Sequence, residues 1–217
     1  MKIEINVPTS LTEITLGQYQ KFVSITENNT DENFINSKMI EIFCGIPLSD
    51  TYKLKMSSVV AITDILIDLL QSTPKDVERF KMNGIEYGRI PDLDEMSLGE
   101  YIDLDNNCSV WDSMHIAMNV LYRPVKDSKD KLYNIVEYST INPERMKDMP
   151  MDAVLSSLFF LTNLGIELSQ HTILYSDNQE GAEITQLQQI LAENGGGIHH
   201  FTDSLKEILD GLKISLN

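Results

Sequence analysis

The sequence predicts a mainly helical α+β protein: two pseudo-repeated helical halves with short edge strands or a hairpin, and a helical C-terminal tail. Three observations lead there. A helix-start signature occurs twice, apolar residues recur at helical spacing through much of the chain, and Asn83-Gly84 divides two alternating runs as a tight hairpin turn does. The repeated stretch runs from Leu11 to Phe22 and again from Leu93 to Leu104, 82 positions later, with five of twelve residues identical. Thr15 with Gln18, and Ser97 with Glu100, form hydroxyl-x-x-Glu/Gln capping boxes, which satisfy two orphan donors at a helix start. Ile14 with Tyr19, and Met96 with Tyr101, stand at the positions of a hydrophobic staple around each box.

Taken in order, Ile3 to Val7 alternate as a short strand that Pro8 ends. A capped helix follows at about 16–26, then a second at about 32–44 that closes on Gly45 before Pro47. Ser57 or Ser58 is expected to cap a third helix, whose Val59, Val60, Ile62, Ile65, Leu66, Leu69 and Leu70 make a core-facing stripe. Thr73-Pro74 opens a short fourth helix. The hairpin around Asn83-Gly84 begins the second half, where Ile85-Glu86-Tyr87 stand 82 positions after Ile3-Glu4-Ile5. A second capped helix and a helix over 111–122 follow, then a charged loop at 126–131 and a strand-like run at 132–138. Asn142-Pro143 marks another helix start, and the apolar residues from Asp152 predict a central helix buried nearly all round. The domains expected are residues 1–80, a first helical repeat; 81–175, a second packed against it; and 176–217, an amphipathic helical tail. In that tail Phe201, Leu205, Ile208 and Leu212 share one side of a helix and are the candidate partner-binding residues.

Composition narrows the function. With 217 residues, 42% of them hydrophobic, the chain can build a sizeable core. Its formal charge is −16 with acids in every segment, which disfavours direct binding to nucleic acid or an anionic membrane. Two cysteines far apart, Cys44 and Cys108, fit reduced thiols. No apolar block of a signal peptide opens the sequence, and no run is apolar and long enough to span a bilayer, so a cytoplasmic location is expected.

No catalytic pattern stands out. Gly195 to Gly197 lack the Lys-Ser/Thr of a phosphate-binding loop and read as a helix end. His199 and Asp203 share a helical face at i, i+4, whereas the adjacent His199 and His200 diverge. His115 fits a hydrogen-bonded core histidine. The acids from Asp92 to Asp105 lack the twelve-residue calcium loop, and their placement complements a helix dipole. No catalytic, cofactor or metal residue is assigned.

The motif pair from Leu11 to Tyr19 and from Ile90 to Leu104, the Trp111 to Pro124 segment, and Met149-Pro150-Met151-Asp152 leading to Phe159-Phe160 and Leu164-Gly165 carry a resemblance across residues 1–175. Together they resemble proteins of tailed bacteriophages, virion or virion-assembly components that include tail assembly chaperones. The resemblance implies a non-enzymatic protein, of the host cytoplasm during assembly or incorporated in the virion, that binds phage structural proteins or itself. It implies no catalytic residues, no cofactor and no small-molecule substrate. Two competing classes are an intracellular phage regulator that binds a host protein and a metal-dependent enzyme built on His199 and Asp203.

Overall fold

The computed structural model describes residues 4–93, 95–129 and 132–163. Its helices are α1 (Leu16–Thr26), α2 (Glu32–Cys44), the short α3 (Leu48–Thr51), α4 (Met56–Leu70), α5 (Leu98–Asn107) and α6 (Met114–Leu121). Residues 151–163 are helical as well, and 3-10 turns cover Leu11–Glu13, Trp111–Ser113 and Pro143–Asp148. The strands β1 (Arg79–Met82), β2 (Ile85–Arg89), β3 (Tyr122–Lys129) and β4 (Leu132–Ile135) form one antiparallel sheet in the order β1-β2-β3-β4. The protein is therefore α+β and mainly α, as the periodicities predict.

Both capping boxes form. Thr15 and Ser97 each accept from the third helical N–H, at 3.2 and 3.3 Å. Gln18 and Glu100 each reach back to the cap N–H, at 2.9 and 2.8 Å. The next helices, α2 and α6, also begin 82 residues apart, and each packs on the capped helix before it. Gly45 ends α2 at φ 67°, and Asn83 and Gly84 turn the first hairpin at φ 52° and 79°, the left-handed geometry of a two-residue turn.

The central helix at 151–163 is sealed, with Met151, Ala153, Val154, Leu155 and Leu158 free of solvent contact. Its buried hydroxyls stay satisfied within the helix: Ser157 donates to the Ala153 carbonyl at 2.8 Å and Thr162 to that of Leu158 at 2.7 Å. Ser156, also buried, instead ties down the segment before β1, accepting from the Val77 N–H at 2.8 Å and donating to Asp76 at 3.2 Å. Asp76 also holds the buried Arg89 guanidinium at 2.8 and 3.2 Å, and that guanidinium lies 4.3 Å from the Phe160 ring centre.

These bonds correct one expectation. Thr73-Pro74 opens no helix, because the backbone and side chains of residues 76–78 are already engaged by Ser156, Tyr122 and β2. Residues 4–7 form no strand either: the nearby pairing is an isolated bridge, Thr15 to Pro150, and no neighbouring strand lies alongside. The charged segment expected as a loop at 126–131 is strand as far as Lys129: Asp127 to Lys129 of β3 pair with β4, and Lys126 falls at a bulge-like shift of register. Its side chains are exposed, so no apolar alternation marked it. The strand read to Tyr138 stops at Ile135, and Tyr138 is drawn to α5 instead.

The start of α4 falls on Met56 after Lys55, with no side-chain cap from Ser57 or Ser58. Its stripe is buried at Leu66 and Leu70, while Val60 and Ile65 are exposed. The helix packs along α2 and carries more apolar residues than one contact can cover. The helix expected over 111–122 opens as a 3-10 turn and gives way to β3 at Tyr122.

Candidate functional site

The two capped helices carry a Leu and a Tyr at the same positions, with Gln20 in one where Ile102 stands in the other, and they meet different surroundings. On α1, Leu16 is fully buried and Tyr19 and Gln20 nearly so. Residues 143–151 lie over them. The Leu16 N–H donates to the Met149 carbonyl at 2.8 Å, and the Met151 N–H donates to the Ile14 carbonyl at 2.9 Å. Lys147 comes so close to Gly17 that a Cβ there would stand 3.1 Å from its Cβ and carbonyl oxygen. Tyr19 meets Trp111 edge to face with centroids 4.5 Å apart.

Beneath this cover Gln20 Nε2 donates toward the Trp111 carbonyl at 2.6 Å and lies 3.1 Å from His115 Nδ1. His115 Nε2 is 3.1 Å from Glu144, which Lys147 also pairs at 2.7 Å. Burial, with Lys147 beside it, holds the His115 pKa below the ordinary value despite Glu144, so the ring is neutral near pH 7. Its Nε2 faces the Glu144 carboxylate and its Nδ1 the Gln20 amide. His115 is thus the hydrogen-bonded core residue its apolar helix predicts. It fastens the cover to α6.

On α5 no equivalent cover is present among the described residues. Leu98 is 75% exposed, Tyr101 41% and Ile102 46%, and a Cβ on Gly99 would meet nothing within 4 Å. The helix buries only its opposite side, through Glu100, Leu104 and Cys108 against α6. Leu98, Tyr101 and Ile102 at i, i+3, i+4 therefore form a continuous apolar strip facing solvent.

Beside this strip lies a cleft of about 450 Å³ between the end of β2, the start of α5 and the residues after β4. Glu100 and Arg123 form its floor, paired at 2.9 Å with both side chains 9% exposed. Burial raises the Glu100 pKa, but the Ser97 hydroxyl and N–H together with Arg123 outweigh it, and the carboxyl stays below its ordinary range. Asp92, Glu95 and Glu137 also line the cleft, so carboxylates dominate its electrostatics. Tyr138, on the same wall, donates to Asp103 at 2.6 Å. Burial and that carboxylate raise the phenol's pKa, which keeps it a donor.

In both halves the third residue of the box anchors the end of the following helix. Gln18 Nε2 donates to the Ile42 carbonyl at 3.0 Å, whereas Glu100 grips Arg123 just after α6. Sequence reasoning placed Glu100 in the capping box and among the acids at the helix start; its ion pair with Arg123 was not read there. The two thiols are not activated. Burial pushes Cys44 up to about 11 and Cys108 up to about 12, so both stay protonated at neutral pH.

The candidate partner-binding residues Phe201, Leu205, Ile208 and Leu212, like His199 and Asp203, lie outside the described residues. Among the described residues no group of three or more His, Cys, Asp or Glu is arranged to hold a metal ion, and no helix is long and apolar enough to cross a membrane. Compared with protein-family models, curated proteins and solved structures, the chain matches none.

Proposed function

We propose that the chain is a non-enzymatic protein of a tailed bacteriophage that binds phage structural proteins, as a virion component or as an assembly chaperone in the host cytoplasm. The observation that carries this reading is the bare apolar strip of α5, Leu98, Tyr101 and Ile102, whose counterparts on α1 are buried. An apolar helix face left uncovered in a chain of charge −16 is a surface for a protein partner: charge keeps the chain soluble while the strip supplies the contact. The likeness of the paired motifs to phage proteins supports the same reading and names the class of partner.

Affinity capture from phage-infected cells tests the proposal. Recovery of phage structural proteins supports it, whereas recovery of host proteins alone, or of nothing, overturns it. Mass spectrometry of mature particles then separates the two versions, since a virion component is retained and a chaperone is lost.

A further inference from the structure

We infer that the exposed face of α5 docks a basic, apolar segment of a partner protein in the manner by which residues 145–151 hold the equivalent face of α1. The inference rests on the partner-binding reading and gives the partner's chemistry. The chain contains its own template for the contact. On α1 the covering segment supplies a carbonyl for the Leu16 N–H and buried methionines at 146, 149 and 151, while its own cations, Arg145 and Lys147, bond Asn119 and Glu144.

The face of α5 presents the complement of each. The Leu98 N–H has no partner among the described residues, as first-turn donors of a helix lack one until something supplies it. Leu98, Tyr101 and Ile102 are the uncovered apolar groups. Glu95, Asp105 and Glu137 are exposed carboxylates around them, and the one cation of the cleft, Arg123, is taken by Glu100. A segment that satisfies all three brings an acceptor carbonyl, a Met or Leu, and flanking Lys or Arg.

Charge and burial weigh against the nearer occupants. In a second copy the 145–151 segment is committed, with Met146, Met149 and Met151 free of solvent contact, and two chains of charge −16 repel. The chain's own residues 164–217 carry eight Asp and Glu against two Lys, the wrong sign for this rim.

The test uses the full chain, isotope-labelled for NMR, and a capped peptide of residues 145–151, Arg-Met-Lys-Asp-Met-Pro-Met, as the probe. The peptide is expected to shift the Leu98, Tyr101 and Ile102 resonances. A version with Glu in place of both cations should bind at least about tenfold more weakly, the equivalent of 1.4 kcal/mol. Leu98→Asp, and separately Ile102→Asp, should abolish the shifts while leaving the melting temperature unchanged. Absence of shifts on α5, equal binding of the charge-swapped peptide, or binding retained by both variants overturns the inference. Capture from infected cells with wild type and Leu98→Asp keeps the two claims apart. Equal recovery of phage structural proteins by both sinks the docking site alone, and no recovery by the wild type sinks the function.

Discussion

The start of α1 and the start of α5 share a capping box, a glycine at the second helical position and the same Leu and Tyr, yet one is sealed inside the protein and the other faces water. Local hydrogen bonding is thus indifferent to burial: the box forms wherever hydroxyl and Glu/Gln stand three apart. What separates the two is a distant stretch, residues 143–151, that returns to α1 and does not reach α5. The shared Leu and Tyr are core in one place and face solvent in the other.

Paired substitutions sharpen that comparison, the largest effect first. Leu16→Asp is expected to abolish cooperative folding, because an unpaired carboxylate in a dry site costs several kcal/mol of the about 5–15 kcal/mol that holds a domain. Leu98→Asp should change stability by no more than about 0.5 kcal/mol in urea unfolding. Equal damage at both positions would break the contrast.

The next difference lies at the third residue of each box. Arg123→Met leaves Glu100 buried without its partner and should lose about 3–5 kcal/mol. Gln18→Ala removes neutral hydrogen bonds and should lose about 1–2 kcal/mol, read from the same denaturation curves. The charge also sets a pH dependence. The folded-state pKa of Glu100 lies below its ordinary 4.5, so its contribution is present above that value and is lost as pH falls through the folded pKa. Glu100→Gln should flatten the acid limb of stability against pH, whereas Gln18→Ala should leave its slope unaltered.

The smallest effect is at the glycines. Gly99→Ala adds a methyl in open space and should stabilise α5 by about 0.5–1 kcal/mol. Gly17→Ala should gain less or nothing, since its methyl would press on Lys147 at 3.1 Å. A larger gain at Gly17 would mean that residues 143–151 sit on α1 more loosely than the contacts indicate.

Much of the architecture was legible because its signals are local. The boxes at Thr15 and Ser97, the Asn83-Gly84 turn and the Gly45 helix end each fix backbone geometry within a few residues. The errors came where partners arrive from far along the chain. Residues 73–78 carry a helix-start pattern, but Ser156 and Arg89 claim their polar groups, and the segment is extended. Residues 4–7 alternate like a strand and find no strand beside them. The site was hidden for the same reason. Leu98, Tyr101 and Ile102 have the spacing of a core face, and among the described residues no segment covers them as residues 143–151 cover α1. The acids from Asp92 to Asp105 were visible, but a helix dipole explains acids at a helix start without invoking a partner. The pairing of Glu100 with Arg123 depends on where α6 ends, which periodicity does not set to one residue.

The central claim is that one copy of this surface is closed and the other open in the native chain. Hydroxyl-radical footprinting read by mass spectrometry measures it directly, comparing Leu16 and Tyr19 with Leu98, Tyr101 and Ile102 in the folded and urea-unfolded protein. The expected result is strong native-state protection of the first pair, lost in urea, with the second group modified at close to its unfolded rate. Equal protection of both groups, or equal modification, would contradict the account.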